Sequence, residues 1–271
     1  PHKIYGQYIS YMFATPTTRT WHDLYHAGKL NTAQRRFWET KPAEELYDLQ
    51  ADPDEVTNLA DSKEYAAILQ RLRTAQQAKA VAIRDIGFLP EGEIHSRAGD
   101  RAPYDMGHNR KLYAMEPIMA AAEQASSLKP EDTPALIKLL GDQDSAVRYW
   151  AAMGLLMRGD KAVAQGRDAL RKALGDKSTA VACTAAEALG RYGKGKDVTL
   201  AAETLIRYGD GSKNDIFTAM LALNGLDYMD ERAAKYADQI KALPNSAAVT
   251  PGRMGAYIKN LLGKINADLA K

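Results

Sequence analysis

Glu91, Glu93, His95 and Arg97 stand at alternate positions of one short stretch, two carboxylates, an imidazole and a guanidinium. The surrounding residues include Gly87, Gly92, Gly99 and Gly107 with Pro90 and Pro103. That punctuation predicts a long irregular loop over 87–110, and long ordered loops often carry function. Side chains on such a loop could reach the rim of a site; the simpler reading is an exposed, charged loop. A second group is His2, Lys3 and Tyr5. Its cationic groups suit anionic oxygens and its aromatic face suits a pyranose ring, against a simpler reading of packing and solvated charge. His22 and His26 are spaced as metal ligands on a helix can be. No Glu lies between them and no third ligand is evident, so packing or surface exposure is the preferred reading. Asp52, Asp54 and Glu55 fit a turn around Pro53 and lack the ligand ladder of a calcium loop. Arg148, beside Tyr149 and Trp150, is expected to bind a neighbouring repeat's backbone or a carboxylate. No residue is assigned as catalytic or as a metal ligand.

These residues need elements to hold them. The chain has 271 residues, 45% hydrophobic and 26% charged, the balance of a soluble globular protein. A net charge of +2 gives no electrostatic case for nucleic acid or an anionic membrane. No apolar run reaches the length of a membrane span. The single Cys183 excludes an internal disulfide framework and a multi-thiolate metal site. The chain starts at Pro1 without an initiator Met and is expected to begin partway along a longer polypeptide.

Composition shifts near residue 115, from an aromatic-rich segment to one dominated by Ala and Leu. The first segment opens on Ile4 to Phe13, where aromatic and β-branched residues favour a strand. Asn31 is a candidate N-cap, Glu45 to Leu49 a short strand with Leu46 and Leu49 buried, and Asp61 with Glu64 a capping box for a long helix. The second segment repeats itself: residues 135–159 recur 34 positions later at 169–193. The turn Leu140-Gly141-Asp142 recurs as Leu174-Gly175-Asp176, and Ala151-Ala152 as Ala185-Ala186. Two apolar-faced helices per unit at this period predict an α-solenoid, because one pair cannot bury its own apolar face. The spacing resembles that of HEAT-type repeats. Helix pairs are expected near 133–158, 162–192, 197–226 and 231–264.

The run Glu45-Leu46-Tyr47-Asp48-Leu49-Gln50-Ala51-Asp52-Pro53-Asp54-Glu55-Val56-Thr57-Asn58-Leu59-Ala60 resembles the tail signature of sulfatases. Tyr5-Gly6-Gln7-Tyr8, Thr15-Pro16-Thr17-Thr18-Arg19 and Gly28-Lys29-Leu30-Asn31 are similar to bacterial sulfatases with appended HEAT repeats. The resemblance implies a mainly α chain: a small α+β sulfatase C-terminal subdomain over 1–115, then a solenoid of HEAT-like helix pairs over 116–271. It implies hydrolysis of a sulfuric ester or sulfamate by a catalytic N-terminal half that is absent here. That half would hold calcium and a formylglycine made from a Cys/Ser-x-Pro/Ala-x-Arg motif. Cys183 is followed by Thr184, Ala185, Ala186 and Glu187 and does not fit that motif.

On this reading the chain itself holds no cofactor, and His2, Lys3, Tyr5, Glu91, Glu93, His95 and Arg97 are candidates for the rim of a sulfated-sugar site. Its partners are the sulfatase domain and, on the repeat face, a protein. Its place, by resemblance, is periplasmic or extracellular. The alternative is a stand-alone HEAT-repeat binding module; a helical-repeat lyase has no chemical support in the sequence.

Overall fold

The computed structural model describes residues 3–270. The chain is mainly helical and divides into two compact units, Pro1–Asp85 and Ile86–Lys271. The division falls well before the compositional shift at 115, because residues 86–113 are built into the second unit. Met106 and Tyr113 are fully buried, and the Trp150 indole donates to the Phe88 carbonyl at 2.7 Å.

The first unit contains α1 (Ser10–Ala14), α2 (Pro16–His26), α3 (Thr32–Arg35) and α4 (Ala66–Ile83). The expected small α+β subdomain with strands is corrected: among the described residues the only β pairing is an isolated antiparallel bridge between Ile4 and Thr40. Residues 3–6 lie beside 37–41 through a few backbone bonds, including Gly6 N–H to the Phe37 carbonyl at 2.8 Å. A Cβ on Gly6 would stand 2.7 Å from the rings of both Phe37 and Trp38, so this approach requires glycine. The chain then turns into α1 and, with Pro16 pre-set at the first helical position, into α2.

Among the described residues, 45–48 carry no regular secondary structure, Leu49 opens a turn, and no partner strand is present. Asn58 takes that place: its Oδ1 accepts from Leu46 and Ala60 N–H, and its Nδ2 donates to the Glu44 carbonyl. Leu49 is left exposed instead of buried. Asn31 does cap α3, in a reciprocal capping box with Gln34. The Asp61/Glu64 box does not form; a short 3-10 turn over Lys63–Tyr65 leads into α4.

The second unit opens where a loop is expected over 87–110, and this too is corrected. The segment carries α5 (Glu91–Ala98) and α6 (Pro103–Gly107). Pro90 and Pro103 act as helix starters, and Gly99, at φ +56°, ends α5. Then come α7 (Met115–Ser126), α8 (Thr133–Leu139), α9 (Ser145–Met157), α10 (Asp160–Gln165), α11 (Arg167–Ala173), α12 (Thr179–Tyr192), α13 (Lys196–Gly209) and α14 (Ile216–Asp227). A 3-10 stretch over Asp230–Tyr236 leads to α15 (Ala237–Lys241), and α16 (Tyr257–Leu269) closes the stack.

Helices stack in chain order. α9 packs on α7, α8 and α12; α12 on α13 and α14; α14 on α16. Small residues set the spacing. Cβ atoms added at Gly154 and Gly225 would each stand 2.8 Å from a leucine of the preceding helix, Leu136 and Leu205. Arginines close the helix ends: Arg158 donates to the carbonyls of Gln124, Ala125 and Gly154, where the helix dipole favours a cation.

Candidate functional site

The successive inner helices begin alike. Asp144 caps α9 by accepting from Ala146 N–H, Ser178 caps α12 by accepting from Val181 N–H, and Asp215 caps α14. Short polar side chains are needed there because the first backbone N–H groups of a helix have no partner within it. Arg148 ties two of these starts together. Its guanidinium donates twice to the Asp176 carboxylate at 2.7 Å and also to the carbonyls of Asp142 and Gln143. The expected carboxylate partner is present and comes from the next repeat, whereas the backbone partners belong to the turn of Arg148's own repeat and not to a neighbour's.

α5 is fastened across these starts. Glu93 is buried, and its carboxylate accepts from Arg97 Nε at 2.8 Å, Ser145 Oγ at 2.7 Å and Ser178 Oγ at 2.6 Å. Arg97 reaches Asp144 at 2.6 Å and the Leu112 carbonyl at 3.1 Å. Glu four residues before Arg suits one helix face, and three donors satisfy a carboxylate that burial would otherwise penalise. Burial alone would raise the Asp144 carboxyl, but the Arg97 hydrogen bond and the Ala146 N–H outweigh it and hold the group below the usual carboxylate range. For Arg97, burial works against the charge while Asp144 and Glu93 favour it, with a net upward shift. Arg97 and Asp144 thus hold their ionised forms, and with Glu93 they are committed to one another. They act as a rivet, with little capacity left for proton transfer.

The open chemistry lies beside the rivet. A cleft of about 560 Å³ separates α5 from the starts of α12 and α14. Glu91, Ser96, Tyr149, Lys177, Phe217 and Asn224 are among its lining residues. The Tyr149 phenol is pushed up to about 12 by burial and by the charge of Glu187, so at neutral pH it is a hydroxyl donor. His95 stacks on Phe217 at 4.6 Å between centroids, with Glu91 4.0 Å from its Nε2. Of the four residues in the 91–97 group, Glu91 and Glu93 line the cleft, and Glu93 and Arg97 form the rivet.

The other candidates lie elsewhere. His2 falls outside the described residues. Lys3 contributes its carbonyl to Lys41 N–H at 3.1 Å. The Tyr5 hydroxyl donates to Glu45, and Lys41 sits 5.1 Å above the Tyr5 ring. Tyr5 lines a 360 Å³ hollow in the first unit with Trp21, Arg36, Phe37, Glu45 and Tyr47. Cys183 is buried within α12, and burial pushes its thiol up. Asp52 accepts from Val56 and Thr57 N–H, and those bonds hold its carboxyl low, as a turn requires. Ser145, Ser178 and Asp144 were not singled out from sequence. Their signal was present in the repeat, since each sits at the turn before an Ala-Val pair.

Comparison with known proteins agrees with the stack. Residues 133–224 match the HEAT repeats family. The chain is 39% identical over 95 residues to an ulvan-active sulfatase of Formosa agariphila; the match covers 35% of this chain and 16% of that relative. The chain thus spans about a sixth of the length of the curated relative it matches. Among the described residues, no helix is long and apolar enough to cross a membrane.

Proposed function

We propose that this chain is the tail subdomain and accessory repeat domain of a sulfatase, and that hydrolysis of a sulfuric ester or sulfamate is performed by a catalytic region outside it. The observation that carries this reading is the 39% identity to an ulvan-active sulfatase, on a chain that also carries HEAT repeats. The first unit supports it. Leu46, Leu49, Leu59, Tyr65 and Ile68 line an open apolar hollow of about 320 Å³, the kind of surface a further domain would cover. On this reading calcium and formylglycine belong to the catalytic region, the substrate is a sulfated glycan, and the setting is periplasmic or extracellular. The rivet makes the repeats a stiff buttress with no reaction of their own.

The purified 271-residue chain should not turn over an aryl sulfate, whereas the polypeptide that joins it to a Cys/Ser-x-Pro/Ala-x-Arg region should. Hydrolysis by this chain alone would overturn the reading. Removing residues 132–271 from the joined polypeptide should lower stability or targeting more than turnover of a small aryl sulfate. Loss of turnover in a folded, calcium-loaded deletion would place the repeats in the active site instead. A second reading, a stand-alone binding module, is favoured by the cleft beside α5. It predicts that a protein partner binds the repeats with no sulfatase region attached.

A further inference from the structure

α2 carries two imidazoles whose Nε2 atoms stand within hydrogen-bond distance of each other. His22 and His26 are one helical turn apart and share a face. Their Nε2 atoms stand 3.0 Å from each other. Packing holds the rings in place. His22 lies edge-on to Phe13 and Trp38, with centroids 5.3 and 4.9 Å away, and His26 lies against Tyr25 at 5.5 Å. His26 is exposed, whereas His22 is half-buried.

Two imidazoles at this separation share either a hydrogen bond between them or a cation in front of them. Metal–nitrogen bonds of about 2.0–2.1 Å to both atoms would subtend roughly 95° at the metal. That is the cis angle of square-planar or octahedral coordination and is narrower than the tetrahedral angle of a structural zinc site. Copper(II) and nickel(II) accept such geometry with nitrogen and oxygen donors, copper more tightly. Among the described residues no group of three His, Cys, Asp or Glu is placed to hold a metal, so a metal on this pair would take its remaining ligands from solvent.

We propose that His22 and His26 chelate a divalent transition metal, copper(II) in preference to nickel(II), at an exchangeable site on α2. The proposal is independent of the sulfatase reading. Trp38 beside His22 provides the readout. Copper(II) titrated into the full 271-residue chain should quench tryptophan fluorescence saturably at one equivalent, and nickel(II) should do so more weakly. Electron paramagnetic resonance of the copper form should show two imidazole nitrogens. His26→Gln changes an exposed side chain, so circular dichroism should show the fold retained while apparent affinity falls by about tenfold or more, the loss of one of two coordinating bonds. His2→Ala, which removes the other imidazole near the start of the chain, should leave affinity unchanged. Quenching that never saturates, an unchanged affinity in His26→Gln, or loss of binding in His2→Ala would each overturn the proposal and leave the pair as a shared-proton contact.

Discussion

In the first unit, Trp38, Leu69 and Ala80 are the buried apolar side chains, and the Trp38 indole N–H is buried without a partner. Leu49, Val56, Ile68, Leu72, Val81 and Ile83 remain exposed there. In the second unit, buried apolar residues recur in every long helix from α7 to α16. Both units are largely helical, so helix content does not explain the difference. A stack of pairs covers each apolar face with the next pair, whereas α4 has too few neighbours to cover its own. A unit of some 85 residues with so small a core has little to set against the entropy of ordering its chain.

The largest expected effect follows directly. Residues 86–271 expressed alone should unfold in one cooperative transition, and residues 1–85 alone should give a disordered circular dichroism spectrum. A cooperative thermal transition in the short fragment would remove the contrast.

Within the second unit, Arg97→Ala should be the costliest single change at the rivet. It strands Glu93 and Asp144 as uncompensated, partly buried carboxylates, at about 3–5 kcal/mol. For a unit of this size that lowers the Tm by roughly 10 °C. Acid sharpens the test. Asp144 and Asp176 both have lowered carboxyls, in each case because the bound arginine and helix N–H groups outweigh burial. Their stabilisation is complete above the unfolded Asp value near 4 and is lost as pH falls through the lower folded values. Tm measured from pH 5 downward should therefore fall, and Arg97→Ala should flatten part of that fall by removing the Asp144 share.

Smaller effects test the packing. Gly154→Ala places a methyl 2.8 Å from Leu136 Cδ1 and 3.1 Å from the backbone of Ala125. The overpacking should outweigh the better helix propensity of alanine, with a net loss of about 1 kcal/mol by chemical denaturation. Lys177, exposed in the turn before α12, should tolerate alanine within about 0.5 kcal/mol. A large loss there would mean that the cleft edge is part of the core.

The repeat was legible because its period is local. Apolar spacing, the Leu-Gly-Asp turn and the small residues Ala151, Ala152, Ala185 and Ala186 appear twice in sequence order, and each helix meets mainly its neighbours. The Asn31 cap was legible for the same reason, since its partner Gln34 lies three residues away. The expected strand at 4–13 failed because strand propensity presumes a partner edge, and the neighbouring segment supplies only one bridge. The expected loop at 87–110 failed because Pro90 and Pro103 were read as breakers when each stands at a helix start.

By itself, the sequence determined that the second half is a helical repeat and that Cys183 lies in a repeat helix and does not fit a Cys/Ser-x-Pro/Ala-x-Arg motif. Only the tertiary structure decided what Glu93 and Arg97 do. Their partners Asp144, Ser145 and Ser178 are 47 to 85 residues away, and no local pattern encodes that distance. The same four-residue spacing carries a largely buried Glu–Arg rivet on α5 and, on α2, a half-buried His22 beside an exposed His26. Spacing sets which side chains share a helix face, and packing alone decides whether that face is sealed or left open.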